Sequence, residues 1–130
     1  GIYPAAPRIR FPVCDVRDVA AAHAQALVLP EAAGQRYIIA NGETGLFALG
    51  QALAAECPDL KKKVPKFQLP DAAVRTLAVF DKRLRTVLPE LGREKKCSAE
   101  KVKRELGLTL RDGEAAIRDA IQSLRALGLI

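Results

Sequence analysis

Tryptophan and methionine are absent from these 130 residues, histidine occurs once, and aromatic residues make up 5%. A surface that stacks nucleic-acid bases depends on aromatic rings, so this scarcity argues against single-strand recognition. The three cysteines, Cys14, Cys57 and Cys97, stand far apart with no Cys-x-x-Cys spacing. That excludes the usual zinc and dithiol motifs, predicts no metal site, and fits reduced thiols in a cytoplasm. No apolar run approaches the roughly 18 residues a membrane helix needs, and no stretch reads as a signal peptide. A membrane partner is not expected.

What is present is the composition of a globular protein, 49% hydrophobic and 28% charged, in a length that suits one domain. The net charge of +6 comes from Lys61-Lys62-Lys63, from Arg93 to Lys96, and from Lys101, Lys103 and Arg104. On a helix, Lys101 pairs with Glu105 and Glu100 with Lys103 or Arg104, the pattern of a solvated face. No recognition helix, zinc finger or RNP-like motif accompanies the charge, so no nucleic-acid partner is expected.

Three prolines in residues 1–12 predict an extended lead-in. Val13 to Asp15 reads as a short strand, with Asp15 as N-cap of a helix whose stripe is Val19, Ala22, His23, Ala26 and Leu27. Pro30 stops that helix. Tyr37 to Ala40, apolar on both faces and bounded by Gly34 and Asn41-Gly42, reads as a buried strand of a parallel sheet. Thr44 opens a second helix that Pro58 ends. Val64 to Leu69, broken by Pro65, is at most a short edge strand. Pro70-Asp71 starts a long helix reaching Pro89, Ser98 caps a short one closing at Leu106-Gly107, and Asp112 caps the last. The order predicts an α/β fold with a helical tail. Two short strands need neighbours to form a doubly wound sheet, so residues 1–45 read as its outer end.

Chemistry is sparse. His23 has no Ser, Cys or acidic partner at catalytic spacing, which favours a packed or half-buried helix residue over a general base. Tyr3 and Tyr37 lack a lysine four positions on. Gly42-Glu43-Thr44-Gly45 lacks the third glycine of a dinucleotide-binding turn, and a capped loop explains it better. No catalytic or cofactor-binding residue is therefore assigned. Arg10 and Phe11, in the proline-bounded lead-in, remain as substrate-cleft candidates, while Arg8 reads as solvated surface.

The segments Val13-Cys14-Asp15-Val16-Arg17-Asp18-Val19-Ala20, Gly34-Gln35-Arg36-Tyr37-Ile38, Leu91-Gly92-Arg93 and Ser98 to Gly107, in that order, resemble the carboxyl-terminal portion of extended short-chain dehydrogenases/reductases. This is the NAD-dependent epimerase/dehydratase superfamily, and the dihydroflavonol-reductase-like branch is the nearest match. Departures fall at Cys97, Leu108 and Leu110, where the family commonly has an aromatic, Trp or Phe, and Pro. The resemblance implies the outer end of a Rossmann-type parallel sheet (1–45), a mainly helical substrate lobe (46–130), and an absent amino-terminal cofactor domain. It implies a parent that moves hydride between NAD(P) and a carbonyl or alcohol, with a small-molecule substrate. This chain alone would bind no cofactor and be inactive. Its partners would be the missing Rossmann half or, through self-association, a second copy. A nucleotide-sugar epimerase or dehydratase lobe and a non-enzymatic α/β interaction module are the alternatives.

Overall fold

The computed structural model describes residues 4–130. Tyr3 lies outside them. The lead-in forms two short strands, β1 (Ala5–Ala6) and β2 (Arg10–Pro12). Helix α1 (Val16–Val28) follows, then β3 (Glu43–Gly45) and α2 (Leu46–Glu56). Next come β4 (Phe67–Gln68), α3 (Asp71–Phe80), α4 (Lys82–Arg85), α5 (Glu100–Leu106) and α6 (Gly113–Ala126). Single 3-10 turns at Pro30–Ala32, Pro58–Leu60 and Leu88–Glu90 each carry a proline in their first two positions, where its missing N–H costs nothing.

The α/β class is borne out, but the strands sit elsewhere than the pattern indicates. β1 pairs with β4 in parallel, and β2 pairs antiparallel with β3, Phe11 opposite Thr44. Val13 to Asp15 is not a strand. Val13 instead extends the β2–β3 ladder by one irregular rung, its N–H donating to the Gly42 carbonyl and its carbonyl accepting from the Asn41 N–H. Two residues opposite one make a bulge, which ends regular pairing there.

Tyr37 to Ala40 is likewise in no strand. Its side chains still alternate: Tyr37 and Ile39 pack against the core, while Ile38 is 46% exposed. Among the described residues, Arg36 to Ala40 make no backbone–backbone hydrogen bond. The segment has a strand's facing and, among the described residues, no strand paired to either edge.

That core is small. Ala22 of α1, Ala32, Ala99, Val102 and Leu106 of α5, and Leu110 bury one another, with Ala26, Leu29 and Leu108 at the margin. The face of α1 is rotated from the expected stripe: Ala22 is buried, but His23 and Leu27 are exposed. His23 is therefore not packed; its Nδ1 lies 2.8 Å from the Val19 carbonyl one turn back. The helix predicted from Asp71 to Pro89 breaks after Phe80. Asp81 adopts extended backbone and its carboxylate accepts from the Arg83 N–H, the capping chemistry that makes aspartate a poor helix-interior residue.

On the other side, α6 lies against α2. Arg118, Gln122 and Arg125 share one face at helical spacing and meet Glu56, Glu56 and Asp59 at 3.2, 3.1 and 2.7 Å. Asp112 caps α6 through the Ala115 N–H, and Gly107 ends α5 in the left-handed conformation, both as the sequence indicates.

Candidate functional site

A cavity of about 770 Å³ opens where the β2–β3 hairpin meets the starts of α2 and α6. Gln68, Gly92 and Glu94 close its far wall. Neighbouring residues on a strand face opposite sides, and the two cleft candidates divide accordingly. Arg10 lines the cavity; Phe11 is not among the lining residues and is 39% exposed.

Each cation on this wall has an anion beside it. Arg8 is not free surface: its Nε and Nη2 donate to both Asp71 carboxylate oxygens at 3.0 and 2.8 Å. This fork ties the lead-in to the start of α3, and the Gly92 N–H donates to the Arg8 carbonyl at 2.9 Å beside it. Arg10 Nε lies 2.5 Å from Glu43 Oε2. That oxygen is buried and has no other partner, and the contact is not aligned as a hydrogen bond. The α6 N-terminus, whose free N–H groups would favour an anion, is occupied by the Asp112 carboxylate.

The back of the cavity is the most tightly built part of the molecule. Asn41 Nδ2 donates to the carbonyls of Leu110 and Arg111 at 3.3 and 2.9 Å. Gly113 passes so close to Asn41 that a Cβ would stand 2.6 Å from its carbonyl oxygen. Behind them, Asp18 is 4% exposed; it accepts the Arg111 N–H at 2.7 Å and pairs with the Arg111 guanidinium. Asp15 is as deeply buried, and Arg17 forks onto it while reaching Asp119 of α6 at 2.6 Å. Hydrogen bonding from the Arg17 side chain holds the Asp15 carboxyl down to about 2. Asp15 as a cap and Asp18 near a helix start are readable locally. Their long-range partners are not, because 93 residues separate Asp18 from Arg111.

Among the described residues no histidine, tyrosine or cysteine lines this cavity; its acidic groups are Glu43, Glu94, Asp112 and Glu114. Tyr37, the one described tyrosine, sits in the α1–α5 core with Lys101 Nζ 5.0 Å over its ring. Burial raises the Tyr37 phenol pKa above its ordinary value, and the nearby Glu105 carboxylate raises it further. A catalytic phenol needs the opposite shift. Among the described residues, no three His, Cys, Asp or Glu side chains gather as a metal site. Cys14 and Cys97 are exposed, Cys57 is buried, and all three are free. No described helix is long and apolar enough to cross a membrane.

Residues 42–45 do not fit the pyrophosphate turn of a nicotinamide dinucleotide. Residues 43–45 form a hairpin strand, and a Cβ on Gly45 would meet only an ordinary contact 3.7 Å from the Ile9 carbonyl. A pyrophosphate turn needs glycines for close backbone approach. Glu43, two residues ahead of Gly45, would repel the phosphates.

The chain is 33% identical over 116 residues to a ketoreductase of Aspergillus niger, azaE, covering 89% of this chain and 29% of that protein. It therefore spans less than a third of the curated relative's length. No family model matches. In fold it superposes on the crystal structure of gox2253 with a TM-score of 0.72 at 24% identity, over 97% of this chain and 40% of that one. Gre2 of Candida albicans, solved in complex with NADPH, gives a TM-score of 0.62 at 25% identity, over 94% and 32%. Over nearly all its length the chain is thus similar, in sequence and fold, to part of short-chain dehydrogenase/reductase-type enzymes, as the resemblance implied.

Proposed function

We propose that this chain is the substrate-facing lobe of an NAD(P)-dependent oxidoreductase acting on a carbonyl or alcohol, in the dihydroflavonol-reductase-like manner. The observation that carries the reading is the 116-residue match to a ketoreductase. The 770 Å³ cavity gives it a place to act, being within the range of small-molecule sites. In this reading Arg10 and Glu43 border the substrate, the chain works in the cytoplasm, and the nicotinamide and proton donor come from a separate Rossmann portion. The domain division at residue 45 belongs to the same proposal.

A chimera tests it. The matched segment of the Aspergillus ketoreductase is replaced by this chain, and NADH and NADPH oxidation are followed with a panel of ketones. Turnover with an altered ketone preference is expected; a folded chimera that binds cofactor but reduces nothing would overturn the reading.

The bare edge at residues 36–40 supports a partner proposal. Unpaired strand edges template pairing, so this edge takes a strand from the Rossmann portion when one is present and from a second copy otherwise. Sedimentation equilibrium of the chain should show self-association that Ile38→Lys abolishes. A concentration-independent monomer for both would count against it.

A further inference from the structure

We infer that Glu43 is a specificity-determining residue: by holding Arg10, it makes the cavity reject phosphate- and carboxylate-bearing ligands in favour of uncharged ones. The inference rests on the cavity being the substrate site proposed above.

Three of the features of this wall that would attract anions are met by a carboxylate from within the chain. Arg8 is forked onto Asp71, Arg10 is held by Glu43 at 2.5 Å, and the α6 N-terminus is capped by Asp112. Helix α2 also opens here, at Gly45 with no side-chain cap, and Glu43 precedes it by two residues. Glu94 and Glu114 add negative charge with no further cation on the wall. A guanidinium is an effective anion clamp only when its fork is free.

Glu43 is the strongest of these controls because of where its charge sits. Its side chain is 22% exposed against 50% for Arg10, and Oε2 is buried with Arg10 as its ion-pair partner. An anionic ligand that drew Arg10 away would leave the buried Oε2 without its counter-charge, which costs more than losing a fully exposed pair. A ketone or hydroxyl asks for no such exchange. A ketone can accept from Gln68 or Thr44, and a hydroxyl can also donate to Asn41 Oδ1, with both ion pairs intact.

The test is titration of the 130-residue chain with inorganic pyrophosphate, followed by calorimetry and by amide shifts of residues 8–11 and 41–48. The wild-type chain should show no saturable binding below about 10 mM, beyond the weak end of the affinity scale. Glu43→Gln should bind at least tenfold more tightly, and Glu43→Gln with Arg10→Gln should lose that gain. If Glu43→Gln does not fold, Asp71→Asn, which frees Arg8, should raise affinity in the same cavity. Tight wild-type binding, no gain in a folded Glu43→Gln, or a gain that survives loss of Arg10 would each overturn the inference. None of these readouts needs a ketone or a nicotinamide, so failure here leaves the reductase reading standing, and failure of the chimera leaves this one.

Discussion

The junction where α1 and α6 begin, at the back of the cavity, and the helical segment from Asp71 to Leu91, which contributes no lining residue, are held in different ways. At the junction, Asp15 and Asp18 are buried, both carboxylates are paired with guanidiniums, and Gly113 touches the Asn41 backbone. The α3–α4 segment buries Val74 and Ala78 one turn apart but leaves Leu77, Val79 and Phe80 exposed, Phe80 by 85%. Its polar anchor to the lead-in is one fork, Arg8 to Asp71, with Arg8 half exposed. The junction is therefore held by buried, partnered polar groups, and the α3–α4 segment by modest burial and an exposed ion pair.

The most direct way to break the contrast is Asp18→Ala. It removes two charge-assisted hydrogen bonds, orphans the Arg111 N–H, and should cost about 3 kcal/mol. Urea unfolding measures it, and a loss below about 1 kcal/mol would mean the junction is no firmer than the α3–α4 segment. Gly113→Ala comes next. Its Cβ would meet a carbonyl oxygen at 2.6 Å, and backbone cannot swing aside as a side chain can. Overpacking of this kind costs about 2 kcal/mol, and amide exchange at Asn41 and Gly42 should accelerate with it.

Acid sharpens the same contrast. Asp15 titrates near 2 in the folded chain against an ordinary 3.8, chiefly through the Arg17 side chain. A depressed carboxyl stabilises the fold above its unfolded value, and that contribution fades as pH falls from about 4 through 2. Arg17→Leu should therefore move the acid-unfolding midpoint to higher pH, read by circular dichroism between pH 5 and 1.5. An unchanged midpoint would show that the Arg17 fork contributes nothing to the junction.

The parts legible in the sequence were the ones encoded locally. Asp15, Asp112 and Gly107 mark helix ends where they stand, because a cap acts within three residues of itself. The i,i+3 and i,i+4 charge pairs of α5 formed as Lys103–Glu100 and Lys101–Glu105, although Arg104 turned to Glu105. Strand placement was not local. Val13 and Tyr37 to Ala40 have strand chemistry, but a ladder depends on which segment lies alongside, and Glu43 to Gly45 reached β2 first. At the candidate site, Arg10 could be placed from the sequence, whereas Glu43 could not. Its role appears only when the hairpin register brings it beside Arg10, and a sequence reading of the same residue gives only a loop ahead of a helix. Asn41 was similarly masked: next to Gly42 it signals a turn, and its grip on residues 110 and 111 lies 69 and 70 positions away.

The smallest expected effect falls on the α3–α4 segment. Phe80→Ser removes a ring that is 85% exposed, so little apolar surface returns to water on unfolding and the stability change should lie within about 0.5 kcal/mol. A core phenylalanine truncated in the same way would cost several times more, so the measurement separates a bare ring from a covered one. Val79, 65% exposed, offers a second position for the same substitution. Neither change should touch the Arg8–Asp71 fork, because residue 71 sits at the far end of α3 from residue 80. Melting curves of both variants should overlay the wild type, and they should do so at every protein concentration. If Phe80→Ser lowered Tm only at high concentration, the ring would be packing against another copy and this bare face would be an interface. If it lowered Tm at all concentrations, the α3–α4 segment would be folded more tightly than its exposure shows, and the contrast between the two regions would collapse.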